Sequence, residues 1–419
     1  MGSEEPTVIL GFGSVLENSE LYRLKSHYFP TGKVGGKPAW LNPKNLPAQE
    51  DICCPSCSKD MAFLAQLYCP LDLAEDTFHR AIFVFLCRNP NCSKVILNAQ
   101  NPYLIPKLQM NDASNFRVFR CQLPRENDFY GMEALNPETD VDVPNPFFDE
   151  KTYPHLCEIC GCSASKKCAK CQEVWYCSRD HQAIDWSLCG HKTTCGKPKP
   201  EANDVEMQEE EGKEFALPEK SKPLNPFVFP EYIIDTETEY ISRGVLEHII
   251  NEANEDDAES DGEEDQKELA KRMKEMKKIE TSEEISTNDV EEVEESASTK
   301  DKSFQIFQKV ISRYADQIVR YSRGGKPLLA TDFAPAPKNV PNCENCGAER
   351  IFELQLTPHL LSLIDVDSLG HSIDWATVLV YTCSESCSIK EFGYTKEFVF
   401  KQDFELLKDD SQPVEEEEE

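Results

Sequence analysis

The chain has no long apolar run. Among its 419 residues no segment approaches the roughly 20 apolar residues that span a bilayer, and Met1–Pro6 is acidic rather than basic, so no secretory leader is expected. Basic residues are scarce: 44 Lys+Arg stand against 76 Asp+Glu, for a net charge of −32. Such a chain repels phosphate backbones, so direct nucleic-acid binding is not expected. Catalytic signatures are missing as well. There is no P-loop, no H-E-x-x-H and no G-x-S-x-G, and Gly11-Phe12-Gly13 lacks the third glycine and following helix of a dinucleotide site. No segment resembles a methyltransferase domain. The expectation is a soluble, monomeric, non-enzymatic protein of cytoplasm and nucleus, without a membrane partner.

Cysteine is abundant. Nineteen cysteines occur, many as C-x2-C pairs. In a reducing compartment such pairs mean metal more often than disulfide, and tetrahedral zinc then needs two further ligands from elsewhere.

The acidity is concentrated. Residues 201–300 carry 32 acidic and 11 basic residues, and the chain ends in Glu415–Glu419. Residues 196–302 read as a largely disordered acidic stretch with an ordered island near 227–240, and residues 406–419 as an acidic tail. A charged helix fits 266–280. A basic protein partner suits this charge, although plain solubility explains any acidic linker equally well. Residues 131–156, rich in Pro and acids, read as a linker. Strands are expected at 80–87, 116–121, 351–356, 376–383 and 397–402. Phe304, Phe307, Val310 and Ile311 have helical spacing.

The two ordered ends repeat one pattern. Gly35-Gly36-Lys37-Pro38 recurs as Gly324-Gly325-Lys326-Pro327, Cys54/Cys57 as Cys343/Cys346, Phe63 as Phe352, and Gln66-Leu67 as Gln355-Leu356, all at an offset of 289. Each half then runs a strand into a closing pair, Cys87/Cys92 or Cys383/Cys387. The expected fold is mainly β (α+β): a discontinuous, pseudo-duplicated β domain, with halves at 7–130 and 303–405. One zinc on Cys54, Cys57, Cys87 and Cys92 would clamp the first half, and one on Cys343, Cys346, Cys383 and Cys387 the second. Four sulfurs and no spare ligand describe a closed structural site. A groove between the halves would be the binding surface.

Residues 157–195 hold a denser block: Cys157-x2-Cys160, Cys168-x2-Cys171, Cys177-x3-His181 and His191-x3-Cys195. The i, i+4 pairs share one helical face. A cross-braced pair of zincs fits, with Cys157, Cys160, Cys177 and His181 at one ion and Cys168, Cys171, His191 and Cys195 at the other. The run Tyr176-Cys177-Ser178-x-x-His181-Gln182-x-x-x-Trp186 with His191-Lys192-x-x-Cys195 resembles a MYND finger, in which most members have cysteine where His181 stands. That resemblance implies a protein-interaction module that binds short proline-containing peptides.

Further matches cover most of the chain: Gly35–Trp40, Arg117–Arg120 with Gln122-Leu123-Pro124, Asn127–Tyr130, Arg320-Tyr321 with Arg323-Gly324, Ser372–Trp375, and Glu397-Phe398-Val399 with Lys401-Gln402-Asp403. With the finger, these resemble the programmed cell death protein 2 family. The resemblance implies a two-half β domain with an inserted finger. It also implies a dedicated chaperone that keeps one newly made, basic small-subunit ribosomal protein (the eukaryotic protein S-two) soluble until assembly. The rival implication is a MYND-mediated adaptor in transcriptional regulation.

Several residues fall outside these patterns. Cys53, Cys69, Cys121, Cys162 and Cys189 read as incidental or buried thiols, with the constant offset favouring Cys54 over Cys53 as ligand. Trp40 and Trp375 read as packing residues. Arg320, Tyr321 and Arg323 either line a client groove or pair internally.

Overall fold

A computed structural model describes residues 7–92, 113–130, 149–197, 221–253, 301–332, 336–366 and 372–403, apart from 17, 29, 242, 243, 247 and 252. The proposed helix at 266–280 and the tail at 406–419 lie outside these residues. The first half contributes β1 (Ile9–Ser14), β2 (Lys33–Val34), β3 (Ala62–Tyr68), β4 (His79–Leu86) and β5 (Phe116–Leu123). The finger contributes β6 (Lys166–Lys167), β7 (Trp175–Tyr176), α1 (Arg179–Leu188) and α2 (His191–Thr194). Then follow β8 (Tyr232–Thr238), α3 (Lys302–Ile311), β9 (Gln317–Tyr321), β10 (Arg350–Leu356), α4 (His359–Leu363), β11 (Thr377–Cys383), β12 (Thr395–Lys396) and β13 (Phe398–Gln402).

Eleven strands form one antiparallel sheet in the order β12-β5-β4-β3-β2-β8-β1-β9-β10-β11-β13. Its two ends are sequence neighbours. Thr395 and Lys396 pair with Arg120 and Phe119 of β5, while Phe398–Gln402 pairs with β11. Residues 395–402 thus bend the sheet into a nearly closed barrel, which leaves little free edge.

Alternation along the strands separates inside from outside. Ile82, Val84 and Leu86 of β4, Phe116 and Val118 of β5, Leu354 and Leu356 of β10, and Val378 and Val380 of β11 join one interior core. Ala81, Phe83, Phe85 and Phe119 face outward into a second core, shared with Trp40 and the finger. The outward residues of the second half, Phe352, Leu379, Tyr381 and Phe400, pack under Leu329 and Val340. Because β3, β4 and β11 are covered on both faces, they read as near-continuous apolar runs in the sequence.

The internal repeat is visible in three dimensions. Pairing of β3 with β4 shifts between Phe63 and Ala65, and pairing of β10 with β11 shifts between Phe352 and Leu354. Gln66 Oε1 accepts from the Ala39 amide at 2.9 Å, and Gln355 Oε1 from the Leu328 amide at 2.8 Å. Each of these features recurs at the offset of 289.

One expectation needs correction, and one choice between alternatives is decided. The halves do not face each other across a groove: β1 lies between β8 and β9, and residues of both halves fill the same interior core. Arg320, Tyr321 and Arg323 pair internally. Arg320 grips Glu239 with two bonds of 2.7 and 2.9 Å, the Tyr321 hydroxyl donates to Glu353, and Arg323 donates to the Cys383 and Ser384 carbonyls. The ordered island within the acidic stretch supplies β8, a central strand of the barrel.

A polar layer crosses the interior. Arg80 of β4 makes two bonds, 2.5 and 2.7 Å, to Glu353 of β10, and Thr382 donates to the same carboxylate. Glu397 accepts from Arg120 at 2.7 Å and from Arg350 at 2.9 Å. All these charges are buried, and the Arg80–Glu353 and Arg120–Glu397 pairs each join one half to the other. Among the described residues no helix is long and apolar enough to cross a membrane.

Candidate metal centres

The first knuckle follows the 3-10 turn Gln49–Ile52 and precedes β3. Within it the Ser58 amide donates to the Cys54 carbonyl at 2.7 Å, and Ser58 itself takes φ +57°. The second knuckle repeats the turn, with the Gly347 amide donating to the Cys343 carbonyl at 2.9 Å and Gly347 at φ +77°. Each tight turn points two sulfurs one way. The ends of β4 and β11 supply the rest, Cys87 with Cys92 and Cys383 with Cys387.

In the finger, α1 starts at Ser178, whose side chain accepts from the His181 amide at 3.2 Å. This cap holds His181 one turn from Cys177. Gly190, at φ +86°, ends the turn after α1 and lets His191 re-enter the site on α2, with Cys195 just beyond.

Four groups converge. Cys54, Cys57, Cys87 and Cys92 form one; Cys157, Cys160, Cys177 and His181 a second; Cys168, Cys171, His191 and Cys195 a third; Cys343, Cys346, Cys383 and Cys387 a fourth. Within each, all ligand atoms lie within 4.8 Å of one another. Sulfur separations such as Cys57–Cys87 (3.6 Å), Cys160–Cys177 (3.6 Å), Cys168–Cys195 (3.7 Å) and Cys346–Cys383 (3.5 Å) recur in every group. A tetrahedron with zinc–sulfur bonds of about 2.3 Å has edges of about 3.8 Å, whereas a disulfide is about 2.05 Å. All nineteen cysteines are free of disulfides, and the donor sets fit zinc. Cys53 is turned away from the first group, toward Asp60. Cys69, Cys121 and Cys162 are buried thiols and Cys189 is exposed.

Each group contains a thiol poised toward the thiolate. Burial pushes Cys168 up, but the Cys171 amide and His191 outweigh it and bring it to about 6. Cys57, despite burial, is lowered through the Lys59 amide, and Cys346 through the Ala348 amide. Hydrogen bonds from Cys160 and Cys177 pull Cys157 well down. Their neighbours go the other way: burial and adjacent sulfurs raise Cys92 to about 12 and Cys195 to about 11. Three or four crowded thiols cannot all ionise alone, and a divalent cation at the centre would supply the missing compensation.

The finger is bonded to the barrel. Trp40 Nε1 donates to the Gly161 carbonyl at 2.7 Å, and its ring stacks on Phe83 at 5.4 Å. Gly161 has φ +71°, and a Cβ there would lie 2.7 Å from Lys37 Cβ. Asn225 donates to the Ile159 carbonyl at 2.9 Å, which adds the segment leading to β8 to the junction. Trp375, at the other pole of the sequence, donates to the Thr357 carbonyl and meets Phe116 at 5.7 Å. Both tryptophans are packing residues.

A β barrel with cysteine knuckles and a cross-braced Cys/His insert defines a class, that of MYND-finger proteins with metal sites compatible with zinc. Comparison with known proteins specifies it further. Residues 7–137 match the programmed cell death protein 2 N-terminal domain, 301–403 its C-terminal putative domain, and 157–195 the MYND finger. Programmed cell death protein 2 of Bos taurus is 37% identical over 396 residues, covering 94% of this chain and 96% of the relative. That of Mus musculus is 37% identical over 400 residues, covering 94% and 96%. The chain belongs to the programmed cell death protein 2 family. A relative from Schizosaccharomyces pombe, named probable 20S rRNA accumulation protein 4, is 37% identical over 126 residues, which is 26% of this chain and 30% of the relative. No solved structure matches the chain.

Proposed function

We propose that the chain is a non-catalytic chaperone or adaptor of ribosome production, which holds a newly made, basic small-subunit ribosomal protein and supports its delivery to assembly. The observation that carries this reading is the kinship with a fission-yeast protein named for 20S rRNA accumulation. The net charge of −32 supports it, because an acidic chain stands in for RNA beside a basic client. On this reading four zinc ions are structural, two in the finger and one in each knuckle, and the protein works in cytoplasm and nucleus. Function lies on the surfaces the metals hold in place. Purification of the tagged chain with translating ribosomes, followed by mass spectrometry, tests the proposal. Enrichment of one small-subunit protein and its messenger is expected; recovery of no ribosomal protein above background contradicts it.

The second reading is an adaptor for transcriptional regulators, in which the finger binds proline-containing peptides. It draws on the finger's mild basic balance, 8 basic against 4 acidic residues over 151–200. The burial of Cys157, Ile159, Cys160 and Gly161 in the core shared with Trp40 ranks it lower, since one face of the finger is already occupied. Under this reading, deleting 151–200 abolishes the essential partners; function that survives the deletion removes it.

A further inference from the structure

The two metal groups of the finger differ in what stands behind their histidines. His191 turns Nε2 to Cys171 Sγ (3.7 Å), and Asp185 of the same finger lies behind its Nδ1 at 4.0 Å. The Tyr176 hydroxyl donates to Asp185 at 2.6 Å and fixes that carboxylate. His181 is oriented the opposite way. Its Nδ1 faces Cys177 Sγ at 3.0 Å and Cys157 Sγ at 3.5 Å. Its Nε2 is buried and has no partner within hydrogen-bonding distance. The group it faces is Asp60 Oδ2, 3.8 Å away and 121 residues earlier in the chain.

Asp60 is well held. It lies three residues after Cys57 on the first knuckle, pairs with Cys53 across a β bridge, and accepts from Gln49 Nε2 at 3.0 Å through Oδ1. Oδ2 is the oxygen directed at His181. The Phe227 ring packs against the imidazole at 4.1 Å, and Arg88, next to Cys87, donates to the Phe227 carbonyl at 2.5 Å. Residues of the first knuckle and the segment before β8 therefore enclose a histidine of the finger.

We propose that Asp60 completes the finger's first metal site as a positioning residue, so that this site is shared between the finger and the first half of the barrel. A neutral imidazole that ligates through Nδ1 carries its proton on Nε2, and a carboxylate facing that N–H orients the ring and strengthens the donor. The second site has its carboxylate within the finger, Asp185 at 4.0 Å behind His191. The first site borrows it, which makes metal at His181 a bond between two parts of the chain. The inference rests on reading the four groups as zinc sites.

The test uses purified full-length protein. Zinc per chain is measured first, and then stepwise release to a competing chelator, for the wild type, Asp60→Ala, Asp60→Asn and Lys59→Ala. Lys59→Ala removes the exposed Lys59–Asp180 ion pair, 2.6 Å, which joins the same two segments without facing the His181 ring. Asp60→Ala should weaken one bound zinc about 10–100-fold and leave the other three unchanged, Asp60→Asn should fall between, and Lys59→Ala should match the wild type. With cobalt in place of zinc, Asp60→Ala should shift the absorption of one Cys3His centre. In a His181→Cys background, Asp60→Ala should have no effect on metal affinity. Wild-type affinities in Asp60→Ala, equal weakening of all the zincs, or weakening that persists without His181 would each overturn the assignment. A wild-type chain lacking zinc at this group would instead remove the zinc reading itself.

Discussion

Glu353 binds the two halves together at a single carboxylate. Burial pushes its pKa up, but the Arg80 guanidinium more than reverses this and holds it below the usual carboxylate range. Removing one member leaves the other charged and buried. Glu353→Ala is therefore expected to cost about 3–5 kcal/mol in urea unfolding, and Arg80→Met combined with Glu353→Leu much less. His79 carries a pH dependence. Burial lowers it to about 4, with its Nδ1 2.9 Å from the Tyr68 hydroxyl. The unfolded chain, with histidine near pH 6.5, takes up a proton that the folded chain refuses. The contribution of His79 is complete above about pH 6.5 and is lost as the pH falls toward 4. His79→Gln should accordingly show a smaller loss of unfolding midpoint between pH 7.5 and 5 than the wild type; an equal loss would assign the acid sensitivity elsewhere.

At the scale of elements, the finger's attachment depends on close backbone approach. Gly161→Ala places a Cβ at 2.7 Å from Lys37 Cβ and forces a left-handed residue on top. It should loosen docking by about 1–2 kcal/mol or more. Limited proteolysis reads this as faster cleavage around residues 149–197, with the barrel's fragments unchanged. The same elements show what the sequence disclosed. The strands at 80–87, 116–121, 351–356, 376–383 and 397–402 and the helix from Phe304 were legible, because apolar runs and 3.6-residue spacing are local signals. The cysteine pairs were legible because a tetrahedral zinc site calls for paired ligands, and the offset of 289 matched Cys54/Cys57 with Cys343/Cys346. Two features were not. β8 reads only as an apolar island, since its partners β1 and β2 lie some 200 residues earlier. Asp60 carries no signal at all, because its relation to His181 exists only after the finger docks.

Over the whole molecule, the barrel, both knuckles and the finger form a single interlocked unit. Arg120 of the first half donates to the Cys387 carbonyl at 3.1 Å, beside the second knuckle, and its strand pairs with Thr395 at the seam of the sheet. Disrupting the ligand set of the second knuckle is therefore expected to open this seam. Hydrogen exchange should rise together in β5, β12 and β13 of a Cys346→Ser chain, and a rise confined to 343–347 would contradict that coupling. The ligand sets are complete, with four protein donors in each, which is the donor count of a structural zinc site. The most direct test of this reading is the mass of the intact, natively sprayed chain. We predict a folded species carrying four zinc ions per chain, which loses its compact charge-state envelope when a chelator removes them. A compact chain with fewer than four ions, or one that stays compact after all metal is removed, would contradict it.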